Sequence, residues 1–221
     1  MGLIPFLRMV MFERDQSLGE EIANSVSHGL GLAAVLVTAP LLIAHAARVG
    51  TVRFVVGVCI FMASAAFLYL ASCLYHALPM GRGKDVFRVI EHSAIFVLIA
   101  GTYTPFMLGA LHGPWGWTLV SLIWVLAILG VLLKTGTRKT HPMLSLALYL
   151  GMGWLLVVAI HPLVLRVPRP GLELILAGGL AYTVGTAFFA AERLRYGHFI
   201  WHLFVLAGTT CHFLAVWSYA A

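Results

Sequence analysis

Charge is what this sequence has least of. Only 10% of its 221 residues are Asp, Glu, Lys or Arg, against about a quarter in a soluble globular domain, which excludes an ordinary water-facing surface. Lysine is scarcer still: Lys84, Lys134 and Lys139 are the whole supply. All are expected in or beside loops and none falls in the last apolar run, so no lysine is available in a last helix to carry retinal, and a light-driven pump or sensor is excluded. The three cysteines, Cys59, Cys73 and Cys211, sit inside apolar runs without CxxC spacing or an even-numbered framework; they read as small packing residues. The net charge of +6 is scattered through short loops with no run or stripe, so it is a topology signal and not a nucleic-acid surface. Met1–Phe12 is apolar but interrupted by Arg8 and lacks a small-residue cleavage site, so no cleaved signal peptide is expected. Phe6 stands where a myristoylation motif wants Ser or Thr.

What is present is hydrophobic sequence, 61% of the chain, arranged in runs long enough to span a bilayer. A span needs about 20 apolar residues. Seven such runs are expected at 24–47, 53–78, 88–111, 115–134, 142–165, 171–191 and 198–219, joined by short connections. They lack the alternation of barrel strands, so the fold class is an all-α membrane protein of seven transmembrane helices. A cytoplasmic segment at 1–23 precedes one transmembrane domain at 24–219. With the N-terminus inside, Arg8, Arg14, Arg82, Lys84, Arg88, Lys134, Arg138, Lys139, Arg193 and Arg195 lie inside and Arg48, Arg53, Arg166 and Arg169 outside. Ten against four favours N-in and C-out. A G-protein-coupled receptor would require the opposite orientation. Trp115, Trp117, Trp217 and Tyr219 then fall at the outer boundary. Gly29, Gly31, Gly101, Gly151, Gly153, Gly178, Gly179, Gly185 and Gly208 are expected to serve close helix packing, and Pro40 and Pro105 to bend helices one and three. No repeat points to a transporter.

Ionisable groups inside spans are costly, so each is a functional candidate. His198 and His202 are one helical turn apart, which projects both imidazoles from one face about 6 Å apart; a lone pair of this kind serves either a metal or packing. Helix two ends at His76 on the same side on which helices three and seven begin, at Glu91 and His198. Four candidates therefore share one depth, as convergent ligands must. Three neutral imidazoles with one open position describe a catalytic zinc site. Glu91 either joins that site or pairs with Arg88. Ser72, one turn before His76, either bonds a metal-bound oxygen or substrate carbonyl, or bonds back to its own helix. Glu21, Asn24 and His28 form a stripe at i, i+3 and i+7; with Glu20, Ser25 and Ser27 they either cap the first helix or support the metal ligands. His212 lies about 15 Å deeper than His202, too far to share that ion, and is expected to make a buried bond between helices. His92 is expected to face another helix, and His45, His112, His141 and His161 to lie near boundaries.

Four stretches together resemble the bacterial hemolysin III family: residues 20–31 (Glu-Glu-Ile-Ala-Asn-Ser-Val-Ser-His-Gly-Leu-Gly), 72–76 (Ser-Cys-Leu-Tyr-His), 91–105 and 198–213. That family is grouped with the progestin and adipoQ receptors, including the adiponectin receptors, and with the wider group related to alkaline ceramidases. The resemblance covers nearly the whole chain. It implies seven helices, N-in topology, and one zinc ion held by His76, His198 and His202. It also implies a carboxylate reaching the zinc-bound water, at Glu91, and a serine at Ser72. The family's usual residue at the carboxylate position is Asp, so this chain carries an extra methylene there. The function expected is a zinc-dependent lipid amide or ester hydrolase in the bacterial inner membrane, with membrane lipids as partners. The alternatives are a non-enzymatic homeostasis or sensory protein with structural zinc, and a cytolytic pore former. A pore is disfavoured because a secreted toxin must first be soluble.

Overall fold

A computed structural model describes residues 16–136, 142–191 and 193–221. Arg8, Arg14, Arg138, Lys139 and His141 therefore lie outside the described residues. The helices are α1 (Leu18–Val49), α2 (Val52–Ala77), α3 (Arg82–Leu108), α4 (Pro114–Gly136), α5 (Pro142–Gly153), α6 (Ile160–Arg166), α7 (Arg169–Ala190) and α8 (Gly197–Tyr219), with a 3₁₀ turn at Leu155–Ala159 between α5 and α6. The sequence α5, 3₁₀ turn and α6 forms one span, Met143–Arg166, so seven spans are long and apolar enough to cross a membrane. Among the described residues there is no strand.

Local chemistry sets the ends. Ser17 accepts from the Glu20 amide while the Glu20 carboxylate accepts from the Ser17 amide, a capping box that opens α1. The helix therefore starts six residues before the hydropathy boundary at 24. Thr51 caps α2 through the Phe54 amide. Gly81 (φ +150) and Gly113 (φ +93) occupy backbone conformations at the α2–α3 and α3–α4 turns that side chains rarely adopt. Pro40 and Pro105 lie inside continuous helices.

α3 is the central element: its residues 100–108 are buried without interruption, as befits a helix surrounded by others. It lies between α2 and α4, while α7 lies along α8 and α8 closes against α1. A Cβ on Gly57 of α2 would stand 2.8 Å from the Pro105 Cα, so the α2–α3 approach is backbone to backbone. Large apolar side chains such as Leu36, Leu41, Val125, Leu129 and Leu165 remain exposed around the outside, where lipid meets them.

The fifth span is the irregular one. Pro162 in α6 cannot donate to the Val158 carbonyl and its ring disfavours α-helix there. The chain makes a 3₁₀ turn instead. Tyr103 from α3 fills the break: its hydroxyl donates towards the carbonyls of Met152 (2.9 Å) and Gly153 (2.8 Å) and accepts from the Leu156 amide (2.9 Å). Irregular backbone at membrane depth is tolerated only when its polar groups find such partners.

Candidate metal centre

His76 at the end of α2, Glu91 in α3, and His198 and His202 in α8 meet at one end of the bundle, their ligand atoms all within 4.8 Å of one another. The Glu91 Oε1 lies 3.5 Å from His76 Nε2, 4.0 Å from His198 Nε2 and 3.9 Å from His202 Nε2. All three Nε2 atoms are buried and have no hydrogen-bond partner. Three orphaned imidazole nitrogens converging on a carboxylate are a costly arrangement in the absence of an electron-pair acceptor. Donors around one tetrahedral zinc stand about 3.4 Å apart at Zn–N distances of 2.0–2.1 Å, so a small contraction of this cluster would accommodate the ion. The residues fit the group.

The other faces of two of these rings are fixed. His76 Nδ1 is 2.7 Å from Glu21 Oε2, and the other Glu21 oxygen is 2.8 Å from the Lys84 ammonium. Lys84 is itself buried and donates to the carbonyls of Tyr75 (3.1 Å) and Leu78 (3.2 Å). His202 Nδ1 lies 3.1 Å from Ser27 Oγ and 3.2 Å from the Asn24 carbonyl. Since Ser27 gives its own proton to the Asn24 carbonyl (2.8 Å), His202 is the donor and its Nε2 lone pair is free. A carboxylate or carbonyl on Nδ1 is the usual support of a metal-bound imidazole.

α1 is thus both alternatives posed from its sequence: Glu20 caps the helix, while Glu21, Asn24 and Ser27 hold the imidazoles. Glu20 does more than cap, since its Oε1 accepts from the Tyr196 amide at 2.8 Å. Tyr196 has φ +57, a left-handed conformation uncommon for a bulky residue. That bond pins the residue immediately before α8, two positions ahead of His198. Ser72 does not bond back to its own helix: its hydroxyl donates to Glu91 Oε1 at 2.6 Å, orienting the carboxylate from α2.

A cavity of about 270 Å³ leads away from the centre between α3, the fifth span, α7 and α8. Glu91, His92 and His198 line its polar end, and Leu98, Ile99, Ile175 and Leu176 its walls. Leu176, Val157 and Ile160 also line it and are about half exposed on the lipid side, so the space reaches the bilayer. Gly153 and Gly179 line it with nothing within 4 Å of a would-be Cβ, and Gly151 is likewise open. The expected packing role of those three is therefore corrected: Gly153 and Gly179 leave room in the cavity.

Of the remaining histidines, His28 stacks on His202 with ring centroids 3.6 Å apart. His92 bonds the Arg88 carbonyl at 2.8 Å and meets Phe189 of α7. His45 stacks on Trp217 at the far end of the bundle. The bond between helices expected of His212 is absent from its Nδ1, which is buried without a partner. Sequence reasoning missed Tyr103 and Lys84; Gly151, Gly153 and Pro162 within one span were the available signal for the break that Tyr103 fills.

A family model described as haemolysin-III related matches residues 16–213. The chain is 43% identical over 209 residues to Hemolysin-3 of Bacillus cereus, covering 95% of each protein. It is 41% identical over 203 residues to the Hemolysin-3 homolog of Bacillus subtilis strain 168, covering 92% of this chain and 95% of that one. To the human Monocyte to macrophage differentiation factor it is 27% identical over 165 residues, 69% of this chain and 65% of that protein.

Proposed function

This chain belongs to the haemolysin-III related family of integral membrane proteins, within the progestin and adipoQ receptor superfamily, and from that membership and its histidine cluster we propose that it is a zinc-dependent hydrolase of lipid amides or esters. The observation that carries the proposal is the convergence of three unpartnered Nε2 atoms on the Glu91 carboxylate, at the polar end of an otherwise apolar cavity.

His76, His198 and His202 hold the ion. Zinc so held supplies Lewis acidity, polarising a carbonyl oxygen and lowering the pKa of water towards about 7. Glu91 takes the proton of the attacking water and returns it to the leaving amine or alcohol as the carbonyl C–N or C–O bond breaks. Ser72 keeps the accepting oxygen of Glu91 aimed at that point. The cavity walls hold the hydrocarbon chain and exclude bulk water. The centre is cytoplasmic and the membrane the bacterial inner membrane. Arg82, Lys84, Arg88, Lys134, Arg193 and Arg195 are at the metal end and Arg48, Arg53, Arg166 and Arg169 at the other, in support of N-in topology.

Metal content of purified protein tests the first half. The parent should carry about one zinc and the His198→Ala, His202→Ala double variant none, with both still folded. Glu91→Gln tests the second half: it should retain zinc and abolish turnover, and full hydrolysis by that variant would overturn the proton-transfer role. One observation favours a second reading, in which zinc is structural and the protein non-enzymatic. Glu91 Oε1 is close enough to all three imidazoles to serve as a fourth donor, closing the site. Loss of zinc affinity in Glu91→Gln would favour that closed site.

A further inference from the structure

Ten residues of α8 separate His202 from His212, about 15 Å along the helix axis. His212 is 9% exposed and lines the same cavity as Glu91 and His198, yet its Nδ1 has no hydrogen-bond partner. The ring is held in place. Tyr182 of α7 stacks on it at 5.5 Å with the planes 24° apart. The Tyr182 hydroxyl is committed to Thr209 Oγ1 at 2.9 Å, and Thr209 gives its own proton to the Val205 carbonyl, also at 2.9 Å.

Two glycines make this packing possible. A Cβ on Gly178 would stand 2.7 Å from His212 Nε2, and one on Gly208 would stand 2.5 Å from the Tyr182 ring. Each ring lies against the bare backbone of the opposite helix, so the imidazole cannot swing to find a partner elsewhere. An apolar side chain would fill the position without the cost of an unpaired nitrogen at membrane depth. What the histidine adds is a fixed hydrogen-bonding point in a wall otherwise made by residues such as Leu172 and Ile175. A charged group would be expelled from such surroundings. A hydroxyl would not, and it can both donate and accept, so with Nδ1 closed off it suits either tautomer of the ring at Nε2, the nitrogen beside Gly178.

We infer that His212, wedged by Tyr182, is a second polar station in the lipid cavity that hydrogen-bonds an uncharged oxygen on the ligand's chain about 15 Å from the metal centre. At the bond length and angle of a saturated chain this is roughly a dozen bonds from the reacting carbonyl. The ligand class is a lipid whose chain carries a mid-chain hydroxyl. This rests on the proposed function only in placing a lipid chain in the cavity with its carbonyl at the zinc.

The test uses the full-length, zinc-loaded protein in phosphatidylcholine nanodiscs. Stearic acid and 12-hydroxystearic acid each displace a fluorescent fatty acid, and the ratio of their affinities is compared between parent and variants, which cancels partitioning into the bilayer. In the parent the hydroxy acid should be preferred by about threefold to tenfold, the span of one net hydrogen bond. His212→Phe should abolish that preference while leaving stearic acid within about twofold, because the aromatic stack on Tyr182 is kept. His212→Gln should retain part of it. Gly178→Ala, which displaces the imidazole without removing it, should reduce it and serves if the phenylalanine variant does not fold. No preference in the parent, or an undiminished preference in His212→Phe, overturns the inference and leaves the hydrolase reading intact. Failure of stearic acid itself to displace the probe sinks both.

Discussion

Glu21 stands between Lys84 and His76, a proposed metal ligand, and replacing it with Gln isolates what its charge contributes. The carboxylate accepts from His76 Nδ1 at 2.7 Å and meets Lys84 at 2.8 Å. A glutamine carbonyl can still accept from the imidazole, but the bond becomes neutral. Charge-assisted bonds are roughly twice as strong as neutral ones, and a bond to a charged group contributes about 1.5–3 kcal/mol net. The substitution therefore removes about 1–1.5 kcal/mol from the ligand's support, roughly tenfold in zinc affinity. Glu21→Ala removes the whole bond and should cost up to about a hundredfold, the upper end of what outer-shell partners contribute. The assay is competition for zinc against a chromophoric chelator, on protein whose monodispersity matches the parent. His45→Ala, at the opposite end of the bundle, is the control and should leave affinity unchanged. Equal affinities for parent, Glu21→Gln and Glu21→Ala would refute the reasoning, because His76 would then need no oriented tautomer to bind. A loss in Glu21→Gln as large as in Glu21→Ala would refute the charge argument alone.

Ser72→Ala should retain full zinc content and lower turnover about tenfold, the value of one hydrogen bond to a charged group; unchanged turnover at equal zinc would remove its orienting role. Tyr103→Phe strips the Leu156 amide and two carbonyls of their partner, at about 1–3 kcal/mol for an unsatisfied buried group. Its apparent melting temperature in detergent should fall by several degrees, and a value equal to the parent's would show that the break is held by something else. Alkaline phosphatase fused after Ala221 should be active, since the reading places that end outside; an inactive fusion beside an active cytoplasmic reporter would reverse the topology.

The seven spans were legible because hydrocarbon imposes a length and a composition on anything that crosses it, and no packing detail can override that. Helix ends were not legible in the same way. Hydropathy reads Glu20 and Glu21 as loop and starts the helix at Asn24, yet both carboxylates lie in α1, and Glu20 and Asn24 are buried. Their polarity is used by partners on α2 and α8. Likewise α3 starts at Arg82 and not 88, because Lys84 is buried against Glu21 and the end of α2. The cluster of His76, Glu91, His198 and His202 could be assembled from topology alone, since helix direction fixes depth. Depth is not rotation, however. That Ser72 would choose Glu91, that Ser27 would choose His202 and that Glu20 would reach Tyr196 depend on how each helix is turned about its axis. The period of a nearly all-apolar span carries little information about that.

The distribution of order in the bundle follows from the same distinction. At the end that carries the candidate metal centre, side chains from α1, α2, α3 and α8 tie one another through charged and neutral bonds, so the candidate ligands come from well-packed helices whose rotations are mutually fixed. On the cavity side the fifth span is broken, and the Tyr103 hydroxyl satisfies the backbone groups at the break. Trp154 reaches Thr183 of α7 across the gap at 3.0 Å, and Gly153 and Gly179 leave the space beside it open. The proposed reaction on a lipid needs both properties in one molecule, because the chain must enter from the bilayer while the carbonyl is held still. The backbone break lies in a span that contributes none of the candidate ligands, so an entrance there could adjust without moving the centre.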